Sequence, residues 1–197
     1  NPYLLLENSF THTYIAQSGL IGPDGIDKSS ERPLYSASAQ RLDITEQGTL
    51  TLTAQIGDLD VEKSFEFSDE PHLVKVSYKV SNASIDNFSA GMFSQIKRDN
   101  RSPPSEESFA LAPQPFLGAA FTTEENPYHK VDFDDLEEAP YQEATQGGWV
   151  AFLQHYFISA WIAPAEQQTR YYARRATDGN YLFGLTGPVK TLAPGET

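Results

Sequence analysis

Thr49-Leu50-Thr51-Leu52-Thr53-Ala54-Gln55-Ile56-Gly57-Asp58 is the stretch that decides the fold. In an extended chain Leu50, Leu52, Ala54 and Ile56 share one side, because successive side chains alternate with period 2. Gly57-Asp58 then reads as a turn. Residues 61–67 alternate again, with Val61, Lys63, Phe65 and Phe67 opposite Glu62, Ser64 and Glu66. Residues 72–80 place Val74, Val76, Tyr78 and Val80 opposite Lys75, Ser77 and Lys79, after a turn at Asp69-Glu70-Pro71. Three such runs predict an antiparallel meander with one dry face and one wet face.

Outward from the meander, shorter strands are expected at 12–17, 87–93, 108–112, 117–121, 129–133, 170–175, 181–185 and 189–192. The most apolar stretch is 149–163, interrupted only by Gln154, His155 and Ser159. A helix is arguable there, but its aromatic and β-branched residues favour two strands or one bent strand. Long loops are expected at 19–32, 98–107 and 124–126. The 13 glycines and 13 prolines are spread along the chain, as many turns require. About ten short strands with little helix predict an all-β, mostly antiparallel sandwich or a large barrel.

The chain has 197 residues, which predicts one domain over 1–197. Its 14 basic and 27 acidic residues give a net charge of −13. A field of that sign repels nucleic acid and anionic headgroups, so neither is expected as a direct partner. Without cysteine there is no disulfide, thiolate nucleophile or Cys-based zinc site. No basic, apolar leader is visible at Asn1, and no stretch reaches the roughly 20 apolar residues of a spanning helix. Any membrane connection is expected to lie outside these residues.

Catalytic patterns are poor. His12, His72, His129 and His155 lack the i, i+4 spacing of a metal helix. The acidic run Asp132, Asp134, Asp135, Glu137 and Glu138 lacks the spacing of a calcium loop and reads as a solvated loop. There is no Gly-x-Ser-x-Gly elbow and no phosphate-binding loop. No cofactor, metal or catalytic residue is therefore expected. The aromatics Trp149, Phe152, Tyr156, Phe157 and Trp161 are expected to form a structural core. An exposed groove for peptides, sugars or lipid tails is the alternative for them.

Several motifs occur in a telling order. Tyr14-Ile15-Ala16-Gln17-Ser18-Gly19-Leu20-Ile21-Gly22-Pro23-Asp24-Gly25 is followed by Arg32-Pro33-Leu34-Tyr35. Phe109-Ala110-Leu111 and Phe116-Leu117-Gly118-Ala119-Ala120-Phe121 come next. Then comes Gly147-Gly148-Trp149-Val150-Ala151-Phe152-Leu153-Gln154-His155-Tyr156-Phe157-Ile158-Ser159-Ala160-Trp161-Ile162. This set resembles the large periplasmic domain of the Gram-negative YidC insertase family, over nearly the whole chain. The resemblance implies a β-supersandwich of galactose-mutarotase-like shape, lying on the periplasmic side of the bacterial inner membrane. It also implies a non-enzymatic role beside membrane-protein insertion and chaperoning, and docking to SecD/SecF and the Sec translocon. Nascent membrane proteins would be met through the full-length protein. The family run usually closes Trp-Ile-Pro, whereas here it is Trp161-Ile162-Ala163-Pro164. Set against the family pattern, the domain is expected to be incomplete at both ends.

For partner docking the resemblance points to residues 111–162, with Tyr128, His129 and Lys130 as candidate contacts. A carbohydrate-binding or mutarotase-like domain is one alternative reading, and a groove for extended apolar peptides is another. Mutarotase-like relatives use a histidine and a carboxylate, and the spacing here matches neither role to a particular histidine.

Overall fold

The computed structural model describes residues 6–28, 32–42, 48–70, 72–101, 116–154 and 157–197. The expected strand at 108–112 lies outside them, as do His155 and Tyr156. Among the described residues fifteen strands and one short helix follow in order: β1 Glu7–Asn8, β2 Thr13–Ile21, β3 Ser36–Ala37, β4 Gly48–Ile56, β5 Leu59–Phe67, β6 Val74–Asn82, β7 Phe88–Arg98, β8 Gly118–Phe121 and β9 His129–Val131. Helix α1 spans Phe133–Glu138 and precedes β10 Tyr141–Gln146, β11 Trp149–Gln154, β12 Phe157–Ile162, β13 Gln168–Arg175, β14 Tyr181–Thr186 and β15 Lys190–Leu192. The strand pairings among the described residues are antiparallel, so the all-β expectation holds. The chain divides into two compact units, Asn1–Gly19 with Met92–Pro188 and Leu20–Gly91 with Val189–Thr197.

The second unit contains the meander, in the order β3-β4-β5-β6. Its register aligns Leu50 with Phe65 and Val76, Leu52 with Lys63 and Tyr78, and Ala54 with Val61 and Val80. One face therefore collects the apolar phase of all three runs, as the period predicts. Val61 is 2 % exposed. Lys63 is the misfit on that face. Its ammonium lies 5.2 Å from the ring centres of both Phe65 and Tyr78, and burial lowers its pKa against the opposing pull of Asp27. The Gly-Pro-Asp-Gly turn is pinned: Asp24 accepts from the Ser89 amide at 2.8 Å, and Asp27 accepts from the Leu20 amide at 2.7 Å. Buried Asn82 ties down the last residues, donating to Leu192 O at 3.2 Å and accepting from Ser84 Oγ at 2.6 Å.

The first unit is a sandwich. One sheet runs β1-β2-β7-β14-β13-β10 and the other β12-β11-β8-β9. Their facing sides share one cluster, in which Tyr14, Ile96, Tyr171, Ala173, Tyr181 and Phe183 meet Ala119, Phe121, Val131, Val150 and Phe152. The valine, isoleucine and phenylalanine side chains among them contribute about 1.5–3 kcal/mol each on full burial. Gly147 and Gly148 carry the chain from β10 into β11, both at positive φ, 62° and 89°. A β-carbon on Gly148 would sit 2.9 Å from Thr122 Cγ2 and 3.1 Å from the Tyr171 hydroxyl. The Gly-Gly before Trp149 is thus a steric requirement. Gly148→Ala is expected to destabilise by about 1–3 kcal/mol in urea unfolding, and an unchanged midpoint would refute it.

Two local expectations are corrected. The acidic run is a helix, not a loop: Asp132 caps α1 by accepting from the Asp135 amide at 3.0 Å, and Asp135 returns the bond to the Asp132 amide at 3.1 Å. This capping box, with Leu136 buried, fixes six residues as helix. It also ends β9 at Val131 rather than Phe133. The sequence pattern predicts no strand where β10 stands. Its Gln142, Glu143 and Gln146 hide its apolar phase, and β13 supplies the pairing.

Candidate interaction surface

The sheet β12-β11-β8-β9 has two faces, and its register sorts them. Val150, Phe152, Phe121 and Trp161 point to the core. Trp149 and Ile162 are opposite one another on the outer face, as are Ala151 with Ala160 and Leu153 with Ile158. Across β8 that face continues through Ala120 to Lys130. Ile158 and Ile162 are each 66 % exposed and Tyr128 is 52 % exposed. The Tyr128 ring centre lies 6.3 Å from that of Trp149. The Lys130 ammonium lies 4.6 Å from the Phe116 ring centre and 5.6 Å from that of Tyr128. The exposed part of the outer face is therefore Ile158, Ala160 and Ile162 with a tyrosine–lysine corner, whereas Trp149 and Leu153 are half-buried and Ala120 and Ala151 between them are buried, at 0 % and 2 %.

The expected partner contacts separate here. Tyr128 and Lys130 join Trp149 on this face. His129 turns to the other side, as alternation in β9 requires, and stacks on Tyr141 at 5.0 Å and 18°. The expected aromatic core separates too. Phe152 is fully buried and Trp161 packs against the cluster, half-buried. Trp149 and Phe157 are corrected. Trp149 is half-buried on the outer face, and Phe157 opens an edge strand at 36 % exposure. Tyr156 lies outside the described residues. Trp149→Ala is accordingly expected to cost about 1–2 kcal/mol, less than a fully buried tryptophan; a loss above about 3 would contradict its place on the outer face. Sequence reasoning did not single out Ile158 and Ile162 as a surface. The signal was present: 158, 160 and 162 share one phase, free of polar residues.

A second cluster sits where β2 begins and β7 ends. Arg98 is fully buried, with its guanidinium carbon 5.4 Å from the Tyr14 ring centre and 5.5 Å from that of Phe152. It forms a short ion pair with Asp99 and donates to Arg101 O at 2.9 Å. Asp99 also accepts from the Thr13 amide at 2.6 Å and the Arg101 amide at 2.9 Å, and lies 2.9 Å from His12 Nδ1. Burial pushes the Asp99 pKa up, but the two amides, Arg98 and His12 outweigh it, and the net shift is downward. Both carboxylate oxygens are committed, so this histidine–carboxylate pair is arranged to hold an arginine rather than to exchange protons with a sugar. Among the described residues, no three His, Asp or Glu side chains converge to hold a metal ion.

Among the described residues no helix is long and apolar enough to cross a membrane. A family model described as the YidC periplasmic domain matches residues 1–197. A membrane protein insertase YidC of Cellvibrio japonicus is 39 % identical over 199 residues, covering 99 % of this chain and 36 % of the relative. Insertases of the same name from Pseudomonas fluorescens strain Pf-5 and Stutzerimonas stutzeri are 41 % and 39 % identical, covering 98 % and 100 % of this chain and 36 % of each relative. The chain thus spans little more than a third of the length of these relatives.

Proposed function

The chain belongs to the YidC periplasmic domain family, and from that premise we propose that it is the non-catalytic docking module of an inner-membrane protein insertase. The reading rests on one observation, the exposed isoleucines of β12 with Tyr128 and Lys130 at the corner of the same sheet face. A face of this kind is stable in water only at a cost, and exposed apolar patches mark partner surfaces. The partners are SecD and SecF, which bring the insertase to the Sec translocon. Insertion itself belongs to the remainder of the full-length protein, whose substrates are nascent membrane proteins. The domain contributes recruitment and shields apolar segments on the periplasmic side.

The test is co-purification of SecD/SecF with the full-length insertase carrying Tyr128→Ala and Lys130→Glu together. Retention is expected to fall by about tenfold, the effect of removing one aromatic anchor and reversing a rim charge. Undiminished retention by the double variant would remove this reading.

A further inference from the structure

We propose that the edge of β12, unpaired among the described residues, receives an extended, apolar segment of a partner polypeptide as an added strand, its ends carrying lysine or arginine. This rests on the docking role above and names its mode.

The backbone sets the argument. The Ala163 amide donates to Gly148 O at 2.9 Å, so residues 163, 161, 159 and 157 direct their backbone groups toward β11. By alternation, the amides and carbonyls of Ile158, Ala160 and Ile162 point away from β11. Among the described residues β12 ends its sheet, and no strand lies beyond it. The same three residues present their side chains on the outer face, with both isoleucines 66 % exposed. One run of residues thus offers a hydrogen-bond ladder and an apolar stripe together, which is what strand addition uses.

The other end strands are charged or short. β6 carries Lys75 and Lys79, β10 carries Glu143, β9 is three residues long with Lys130, and β1 and β3 have two residues each. β12 has six residues with no charge and no proline. An unguarded edge of this length is an aggregation hazard unless a partner occupies it. Charge selects the occupant. The chain carries −13, and Glu124, Glu125 and Glu166 lie exposed on the connections that flank this sheet. Two copies repel one another at long range, whereas a segment with cationic ends is drawn in.

The probe is a ten-residue peptide with valine at alternate positions and two lysines at each end, added to this chain and followed by amide hydrogen exchange. Exchange at Ile158, Ala160 and Ile162 is expected to slow by about tenfold, with Ser159 and Trp161 unchanged. Ala160→Pro deletes an edge donor and spares the β11 ladder, so it should abolish the protection while leaving the Tm within a few degrees. Should that variant unfold, Ile158→Lys with Ile162→Lys guards the edge by charge and should give the same loss. Protection that survives both variants overturns the proposal. So does stronger protection by a glutamate-ended peptide, or protection without peptide that grows with protein concentration and reports a second copy. Binding to anionic vesicles through these amides would also overturn it. Loss of peptide protection in an Ala160→Pro insertase that still retains SecD/SecF would separate this mode from the docking role. Loss of SecD/SecF in the Tyr128 and Lys130 variant with edge protection intact would do the converse.

Discussion

Asp99→Ala is expected to lower the unfolding free energy by about 3–5 kcal/mol, because it leaves a buried guanidinium without its counter-charge. Arg98 is fully buried, and Asp99 is its carboxylate partner. The same substitution orphans the Thr13 and Arg101 amides, each bonded to that carboxylate. Asp99→Asn keeps an acceptor but not the charge, and should cost about half as much. Arg98→Met with Asp99→Ala removes the cation as well, and should be more stable than Asp99→Ala alone. Urea midpoints at constant m would rank the three variants, and a double variant no better than the single one would sink the account. The pH dependence has a definite sign. The Asp99 pKa is depressed in the folded state, so its contribution is complete above the ordinary carboxylate value, near 3.9. It is lost as pH falls through the lower folded value. The gap between wild type and Asp99→Ala should therefore be widest near neutrality and close in strong acid.

Much of the second unit was legible because its code is local. The meander runs at 49–56, 61–67 and 72–80 carry a strict period of 2, and each turn holds glycine, aspartate or proline. Pairing in register then follows from the shared apolar phase. β10 had no such pattern, and it exists because β13 offers six partners in order. Helix α1 was hidden by its charge. A run of five acids looks solvated until the Asp132–Asp135 bond pair and buried Leu136 are seen. The candidate surface was half legible. Tyr128 and Lys130 lie in the region to which the resemblance points, and alternation alone sets His129 on the opposite face. Trp149 and Trp161 are both tryptophans in one apolar run, and only the register shows that they face opposite sides. The Arg98 cluster was invisible, since His12 and Asp99 are far apart in sequence and no periodicity links them.

Phe152→Ala is the second large loss, about 3–5 kcal/mol. Its ring is fully buried on β11 and contacts the opposite sheet, with ring centres 5.4 Å from Tyr14 and 5.5 Å from Phe183. Phe133, heading α1, closes the group at 6.1 Å. Truncation removes the transfer energy of the ring and leaves a cavity between two paired sheets, which have little freedom to collapse. Phe152→Leu, which restores most of the volume, should recover more than half of the loss. The ring is also one face of the Arg98 cage, with the guanidinium carbon 5.5 Å from its centre. The cavity made by Phe152→Ala would therefore have a cationic wall, and water entering it would hydrate the arginine. That water would relieve part of the penalty for losing Asp99. Phe152→Ala combined with Asp99→Ala should then cost less than the sum of the two, by about 1 kcal/mol or more in a double-mutant cycle. Additivity within about 0.5 kcal/mol would mean that the cavity stays dry and that the ring does not hold the cation. Coupling of the expected sign would show that the aromatic core of this unit and its buried charge are one structural element.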